Sequence, residues 1–166
     1  LSGQIAQQRK VETIANNISF GLTGVKVSKK TIEQAAKNAA IYRNIIEFPD
    51  RFETFVGERG ITLSGGQKQR ISIARAIIRN PQILIFDDCL SSVDTETEEE
   101  ILNNLKIIMQ GKTSIIISHR VSSVKHADHI IILDKGKVIE EGKHQYLIDK
   151  KGVYFDLFQK QQLENS

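Results

Sequence analysis

Leu63-Ser64-Gly65-Gly66-Gln67 decides the fold, together with its continuation Lys68-Gln69-Arg70-Ile71-Ser72-Ile73-Ala74-Arg75-Ala76. A hydroxyl, two glycines and an amide stand where a helix should begin. Glycines let the backbone approach a phosphate closely, and the amides at a helix start attract anions. On its own the pentapeptide also fits a glycine-rich turn that merely opens a helix. The residues after it separate the two readings. The helix is expected to stop at Asn80-Pro81, where proline ends the pattern. Ile83-Leu84-Ile85-Phe86-Asp87-Asp88 then reads as a fully buried strand. Its carboxylates emerge at the C-terminal end, where ligands bind in open α/β sheets. A phosphate-facing surface is thus followed by a site suited to magnesium and water.

Outward from this stretch, residues 13–46 are predicted helical. Ile32, Ala35, Ala36, Ala39 and Ala40 sit at helix spacing, and Gly21 and Gly24 mark a loop. Pro49 and Glu53–Gly60 form an irregular connection. Thr95-Glu96-Thr97-Glu98 predicts a capping box opening a helix through Ile108, with Glu96, Glu98, Glu99 and Glu100 at its positive end. Ile115–Ile117 is expected to be a second buried strand, and Ser122–Ala127 a short helix. Ile130–Leu133 and Lys137–Glu140 flank Asp134-Lys135-Gly136, a hairpin signal. Tyr146 to Gln162 reads as helical with a break at Gly152. Strands alternating with helices predict an α/β domain with a largely parallel core.

Composition narrows the function classes. At 166 residues the chain is one domain by length, and 40% apolar residues suffice for a core. Basic and acidic residues are interleaved and the net charge is only +3, so no stripe suggests nucleic acid. A single cysteine, Cys89, excludes an internal disulfide and fits a reducing compartment. Apolar runs such as Ile83–Phe86 fall far short of the about 20 residues that span a bilayer. The first residues lack the charged-then-apolar pattern of a signal peptide. Taken alone, the chain is expected to be soluble and cytosolic.

The order and spacing of these motifs resemble the ATP-binding-cassette (ABC) ATPases. The resemblance implies an α/β fold: a P-loop NTPase-like ABC ATPase core, here incomplete, with a helical subdomain. Residues 1–12 are then unassigned. Residues 13–80 form the helical or signature subdomain, and 81–166 the part of the core from Walker B to the C-terminus. In the family the signature contacts the γ-phosphate of ATP held by the opposite subunit, a role carried here by Ser64, Gly65, Gly66 and Gln67, with Leu63 packed behind them. Ile83–Asp88 resembles Walker B, so Asp87 would hold Mg²⁺ through water. Two acids capping a solvated strand edge are the plain alternative. Asp88 stands where the family has glutamate to polarise the attacking water. It is one methylene shorter, and misplacing a catalytic group by about 1 Å can cost on the order of a hundredfold in rate. The substitution resembles the degenerate half of a heterodimeric exporter. It implies slow hydrolysis at this site, while the signature serves the partner's site.

Ser91-Ser92-Val93-Asp94 resembles the D-loop, which crosses the dimer interface, and Asp94 would couple the two ATP sites. Without its neighbours the segment is an ordinary turn before a helix. Ile115-Ile116-Ile117-Ser118-His119-Arg120 resembles the switch segment, with His119 contacting the γ-phosphate; near neutral pH it can donate or accept a proton. A lone histidine there is otherwise structural. His126, His129 and His144 show no metal spacing and read as surface or packing residues.

Three segments resemble exporters rather than importers: Thr13–Gly21, the X-loop-like Glu53–Gly60, and Gly152–Leu157. The implied partners are a second nucleotide-binding domain, as homo- or heterodimer, and transmembrane domains that meet the Glu53–Gly60 loop. The implied location is the cytoplasmic side of a membrane, peripheral or fused to a membrane domain, with ATP and Mg²⁺ as cofactors. No Walker A string, GxxxxGK[ST], occurs in the sequence. At the Q-loop position stands Ile5, with Gln4, Gln7 and Gln8 as near misses. The chain is therefore expected to be part of a larger polypeptide. Alone it should neither bind ATP with ordinary affinity nor hydrolyse it. Open sheet edges predict marginal stability or domain exchange. Two other readings stand: a non-catalytic truncated module that supplies the signature in trans, and an ABC-type DNA-repair ATPase. Against the latter stand the X-loop resemblance and the lack of sustained heptads.

Overall fold

Thr13, Ser28, Ser64 and Asp94 are short polar side chains that each cap the start of a helix. In the computed structural model, which describes residues 12–20, 22, 27–57 and 61–164, the strand β1 (Glu12–Thr13) runs directly into α1 (Ile14–Ser19). The Thr13 hydroxyl accepts from the Asn16 N–H at 3.2 Å and so caps α1. Ser28 caps α2 (Lys29–Asn38) in the same way, accepting from the Thr31 N–H at 3.1 Å. Next come α3 (Tyr42–Glu47), a 3₁₀ turn at Arg51–Glu53, and β2 (Phe55–Val56), which pairs antiparallel with β1. The expected helical region 13–46 is thus three short helices. The Ala40 φ of 54° turns the chain between the last two. Gly21 and Gly24 lie outside the described residues, as do Gln4, Ile5, Gln7, Gln8 and the Glu58–Gly60 end of the X-loop-like segment.

The signature helix α4 (Gly65–Ile77) buries Ile71, Ile73, Ala74 and Ile77 and packs on α1 and α2. Two arginines fix it. Arg70 Nη1 donates to Ala40 O at 2.7 Å and Asn44 Oδ1 at 2.9 Å. Arg75 Nε donates to Asn17 O at 2.7 Å and its Nη2 to Asn17 Oδ1 at 2.9 Å. Helix α5 (Thr95–Ile108) packs on α2 and buries Glu98, Ile101 and Leu105. The chain divides into two compact units. The first is Leu1–Leu84 with Ser92–Thr113, and the second is Ile85–Ser91 with Ser114–Ser166.

β3 (Ile83–Asp87) pairs with β4 (Thr113–Ile117). Thr113 N donates to Gln82 O, and Asp88 N donates to Ile117 O. Residue numbers rise together along the two strands, so the pair is parallel, and α5 gives it the long connection that parallel strands need. Among the described residues the expected parallel core is reduced to this pair, apart from an isolated parallel bridge between Val56 and Ile61. The other two pairs, β1–β2 and β5–β6, are antiparallel.

Neither apolar strand is fully buried, contrary to the sequence expectation. Leu84 and Phe86 are buried, but Ile83 and Ile85 are 61% and 62% exposed. Ile115 and Ile117 are 47% and 51% exposed. An all-apolar strand signals cover on both faces, and the described residues cover only one.

In the second unit α6 (Val121–Val124) is shorter than expected. β5 (Ile130–Asp134) and β6 (Lys137–Gly142) form the expected hairpin. Lys135 and Gly136, with φ of 46° and 74°, make its two-residue turn; both central residues at positive φ fit a type I′ turn. Helix α7 (His144–Lys150) ends at Lys151 in the left-handed region, and α8 (Val153–Glu164) follows. Val121, Ile130, Leu147 and Tyr154 form the core of this unit. Glu140 reaches from β6 to the start of α8, its two carboxylate oxygens accepting from Val153 N at 2.9 Å and Tyr154 N at 3.1 Å. A carboxylate at a helix N-terminus meets both unpaired amides and the positive end of the dipole. Gly152 leaves no room for a Cβ beside that carboxylate.

Candidate functional site

Ser64 precedes α4 in an extended conformation, φ −63° and ψ 164°. Its Oγ accepts from Gln67 N at 3.2 Å while Gln67 Oε1 accepts from Ser64 N at 2.9 Å. The two bonds make a reciprocal capping box, where the sequence reading expected one at Thr95–Glu98 instead. Accepting one bond leaves the serine hydroxyl hydrogen for donation, and the glutamine amide keeps its two N–H donors. Gly65 and Gly66 occupy the first two helical positions, whose N–H groups have no acceptor within the helix. Leu63, just before them in the chain, is buried.

The two glycines meet a packing demand before any phosphate is considered. A Cβ on Gly66 would stand 2.8 Å from Ser92 O, and one on Gly65 would stand 3.4 Å from Ser92 Cβ. Gln69 Oε1 accepts from Ser92 N at 3.0 Å. The signature helix therefore carries the Ser92–Asp94 segment against its first turn, a contact without any local sequence signal.

Asp94 ends that segment and caps α5. Its Oδ1 accepts from Thr97 N at 2.9 Å. This corrects the capping box expected at Thr95–Glu98: Asp94 has the extended backbone of an N-cap, which places Thr95 inside the helix and Thr97 at the third helical position. Bonds from the Thr97 backbone and side chain, with Arg70 nearby, hold the Asp94 carboxyl below its ordinary range. Burial lowers the Arg70 pKa, against the opposing pull of Asp94 and Glu100.

The second unit holds the remaining candidates. Asp87 is the last residue of β3 and is exposed. Asp88 follows with φ 45°, a left-handed conformation that aspartate tolerates better than most side chains. Its N–H donates to Ile117 O at 2.9 Å, and its carbonyl accepts from Ser91 Oγ at 3.1 Å. His119 is exposed two residues beyond the end of β4. Arg120 Nη2 donates to Ser91 O at 3.1 Å, joining the His119 segment to the loop after Asp88. Strand pairing thus brings Asp87, Asp88 and His119 to the same end of one strand pair, while Ser64–Gln67 and Asp94 belong to the first unit. His144 packs inward, with Nδ1 2.8 Å from the buried Tyr154 hydroxyl. His129 Nε2 lies 3.5 Å from Glu141.

Among the described residues no three His, Cys, Asp or Glu side chains cluster as a metal cage. Magnesium does not need one: it is held by one or two carboxylates, with water and phosphate oxygens completing the shell. An exposed Asp87 carboxylate at a strand end fits that donor set.

A glycine-opened helix with an apolar face, and a parallel strand pair ending in carboxylates, are parts of an α/β domain suited to binding a phosphorylated ligand. Residues 2–91 match the ABC transporter family, including residues 2–11, where the sequence reading places no motif. ATP-binding cassette sub-family B member 5 of Mus musculus is 46% identical over 152 residues, covering 92% of this chain and 12% of that protein. The multidrug resistance-like ATP-binding protein MdlA of Escherichia coli (strain K12) is 46% identical over 153 residues, covering 92% of this chain and 26% of that protein. A bacterial Atm1-family ABC exporter solved with ATP bound superposes with a TM-score of 0.83 at 41% identity, covering 90% of this chain and 26% of that one. The chain belongs to the ABC transporter family, as part of a nucleotide-binding domain of the exporter type, and spans between 12% and 26% of the length of these relatives.

Proposed function

We propose that this chain works in an ABC exporter that couples ATP binding and hydrolysis to transmembrane transport. The observation that carries this reading is the exposed start of α4, where Ser64, Gly65, Gly66 and Gln67 leave donors available and Gly66 packs against the Ser92 carbonyl. In this reading those four residues bind the γ-phosphate of an ATP held by a second nucleotide-binding domain. Residues 13–80 serve as the signature subdomain and 81–166 as the Walker B portion. Asp94, at the cap of α5, links the two nucleotide sites.

Asp87 would hold a Mg²⁺ ion that neutralises developing phosphate charge. Asp88 orients the attacking water from a carboxylate one methylene short of the family's glutamate, and His119 contacts the γ-phosphate. This makes the chain the slow-site half of a heterodimer. Transmembrane domains dock at the Glu53–Gly60 loop, beside a groove of ≈ 450 Å³ lined by Tyr42, Ile46, Phe52 and Glu53. No described helix is long and apolar enough to cross a membrane. In this reading the chain acts at the cytoplasmic face of a membrane through those partners.

ATP retention and turnover test this reading. The 166-residue chain alone should retain no ATP at ordinary affinity, and mixing it with a complete partner domain should raise both retention and hydrolysis. Tight binding by the chain alone contradicts the reading. Retention without faster hydrolysis favours the non-catalytic module that only lends its signature.

A further inference from the structure

His119 lies at the end of β4, and its peptide is gripped from an element remote in sequence. On α8, the Gln161 side chain uses both ends of its amide. Nε2 donates to His119 O at 2.7 Å, and Oε1 accepts from Val121 N at 2.7 Å. The pair of bonds brackets one residue, Arg120, whose guanidinium donates to Ser91 O at 3.1 Å. The backbone carrying His119 is therefore held by α8 through Gln161 and by the loop after Asp88 through Arg120.

An amide side chain can do this. The bracketed segment presents one acceptor and one donor, and the Gln amide offers the complementary pair without charge, on two separate atoms. Gln161 is half-buried and α8 is anchored at its start by Glu140, so the amide sits on a fixed support. Nothing in the core requires a polar residue here, since α8 already packs through Tyr154 and Phe158.

We infer that Gln161 is a positioning residue for His119: it fixes the histidine's backbone so that the imidazole meets the γ-phosphate, which makes α8 part of the catalytic support. The inference rests on the reading of His119 as the γ-phosphate contact. Gln161 touches no nucleotide itself and acts only through His119.

ATP hydrolysis at this chain's own site, measured in the intact transporter with the partner domain's hydrolytic site inactivated, tests it. Gln161→Leu removes both bonds. Gln161→Glu keeps the shape and the acceptor for Val121 N but loses the donor to His119 O, and it serves if the leucine variant does not fold. Losing a positioning contact should lower kcat about tenfold with the KM for ATP unchanged in both variants, since the glutamate oxygen also repels His119 O. In a His119→Ala background neither change should lower kcat further. Wild-type kcat in both Gln161 variants, with His119→Ala strongly impaired, overturns the inference and leaves the reading of His119 standing. A Gln161 effect that adds fully to that of His119→Ala also overturns it, because the glutamine then acts elsewhere. Unchanged turnover in His119→Ala overturns the reading of His119 and the inference with it.

Discussion

Gly66 and Asp88 show how one residue type answers to two demands. Gly66 allows a phosphate to approach, and it also allows the Ser92 carbonyl to approach: a Cβ would stand 2.8 Å from that oxygen. Asp88 keeps a charge at the strand end, and it also occupies φ 45°, where a short polar side chain is favoured. The conformational reason for aspartate is independent of catalysis. The two reasons are separated by Asp88→Glu. If the short side chain limits hydrolysis, turnover at this site in the assembled pair should rise about ten- to a hundredfold. Unchanged turnover would show that the missing methylene is no handicap. The places of the candidate residues in the fold were legible in the sequence, because Ser64–Gln67, Asp87-Asp88 and His119 are local patterns next to elements with clear periodicity: Ser64 caps α4, Asp87 ends β3 and His119 follows β4. Their supports were not. Gln161 lies 42 positions from His119, and Gln69 lies 23 from Ser92, too far for any window to join them.

At the scale of elements, caps decide where helices start. The Asp94 cap also gives α5 a pH dependence of known sign. Its carboxyl titrates lower in the fold than in an unfolded chain. The cap therefore contributes fully above the ordinary carboxylate pKa, and the contribution is lost as the pH falls through the depressed folded value. Asp94→Asn keeps an acceptor for Thr97 N but does not titrate. Thermal melts should show the wild-type losing more stability than Asp94→Asn on passing from neutral to strongly acid pH. Equal losses would mean that the cap charge is irrelevant. The sequence misplaced this cap by one residue because Asp94-Thr95 offers two adjacent cap formers, and only the backbone angles choose between them. The hairpin turn at Lys135-Gly136 was legible because a two-residue turn demands positive φ and glycine supplies it. Strand burial was not, because Ile83 and Ile85 read as core whether or not a covering layer is present.

At the scale of the molecule, that uncovered layer matters. Ile83, Ile85, Ile115 and Ile117 expose one apolar side of the parallel pair, and Ile131 and Leu133 are 51% and 67% exposed on β5. Burying apolar area at about 25 cal/mol per Å² is the main term favouring association. The chain also covers no more than 26% of the relatives described above. The exposed strand face is consistent with a unit that works in association, the arrangement proposed above. The direct test is a structure of the assembled transporter trapped with ATP. Ser64 Oγ should lie within hydrogen-bond reach, about 2.7–3.0 Å, of a γ-phosphate oxygen on ATP held by the opposite domain. A trapped assembly in which Ser64 contacts no triphosphate contradicts the account.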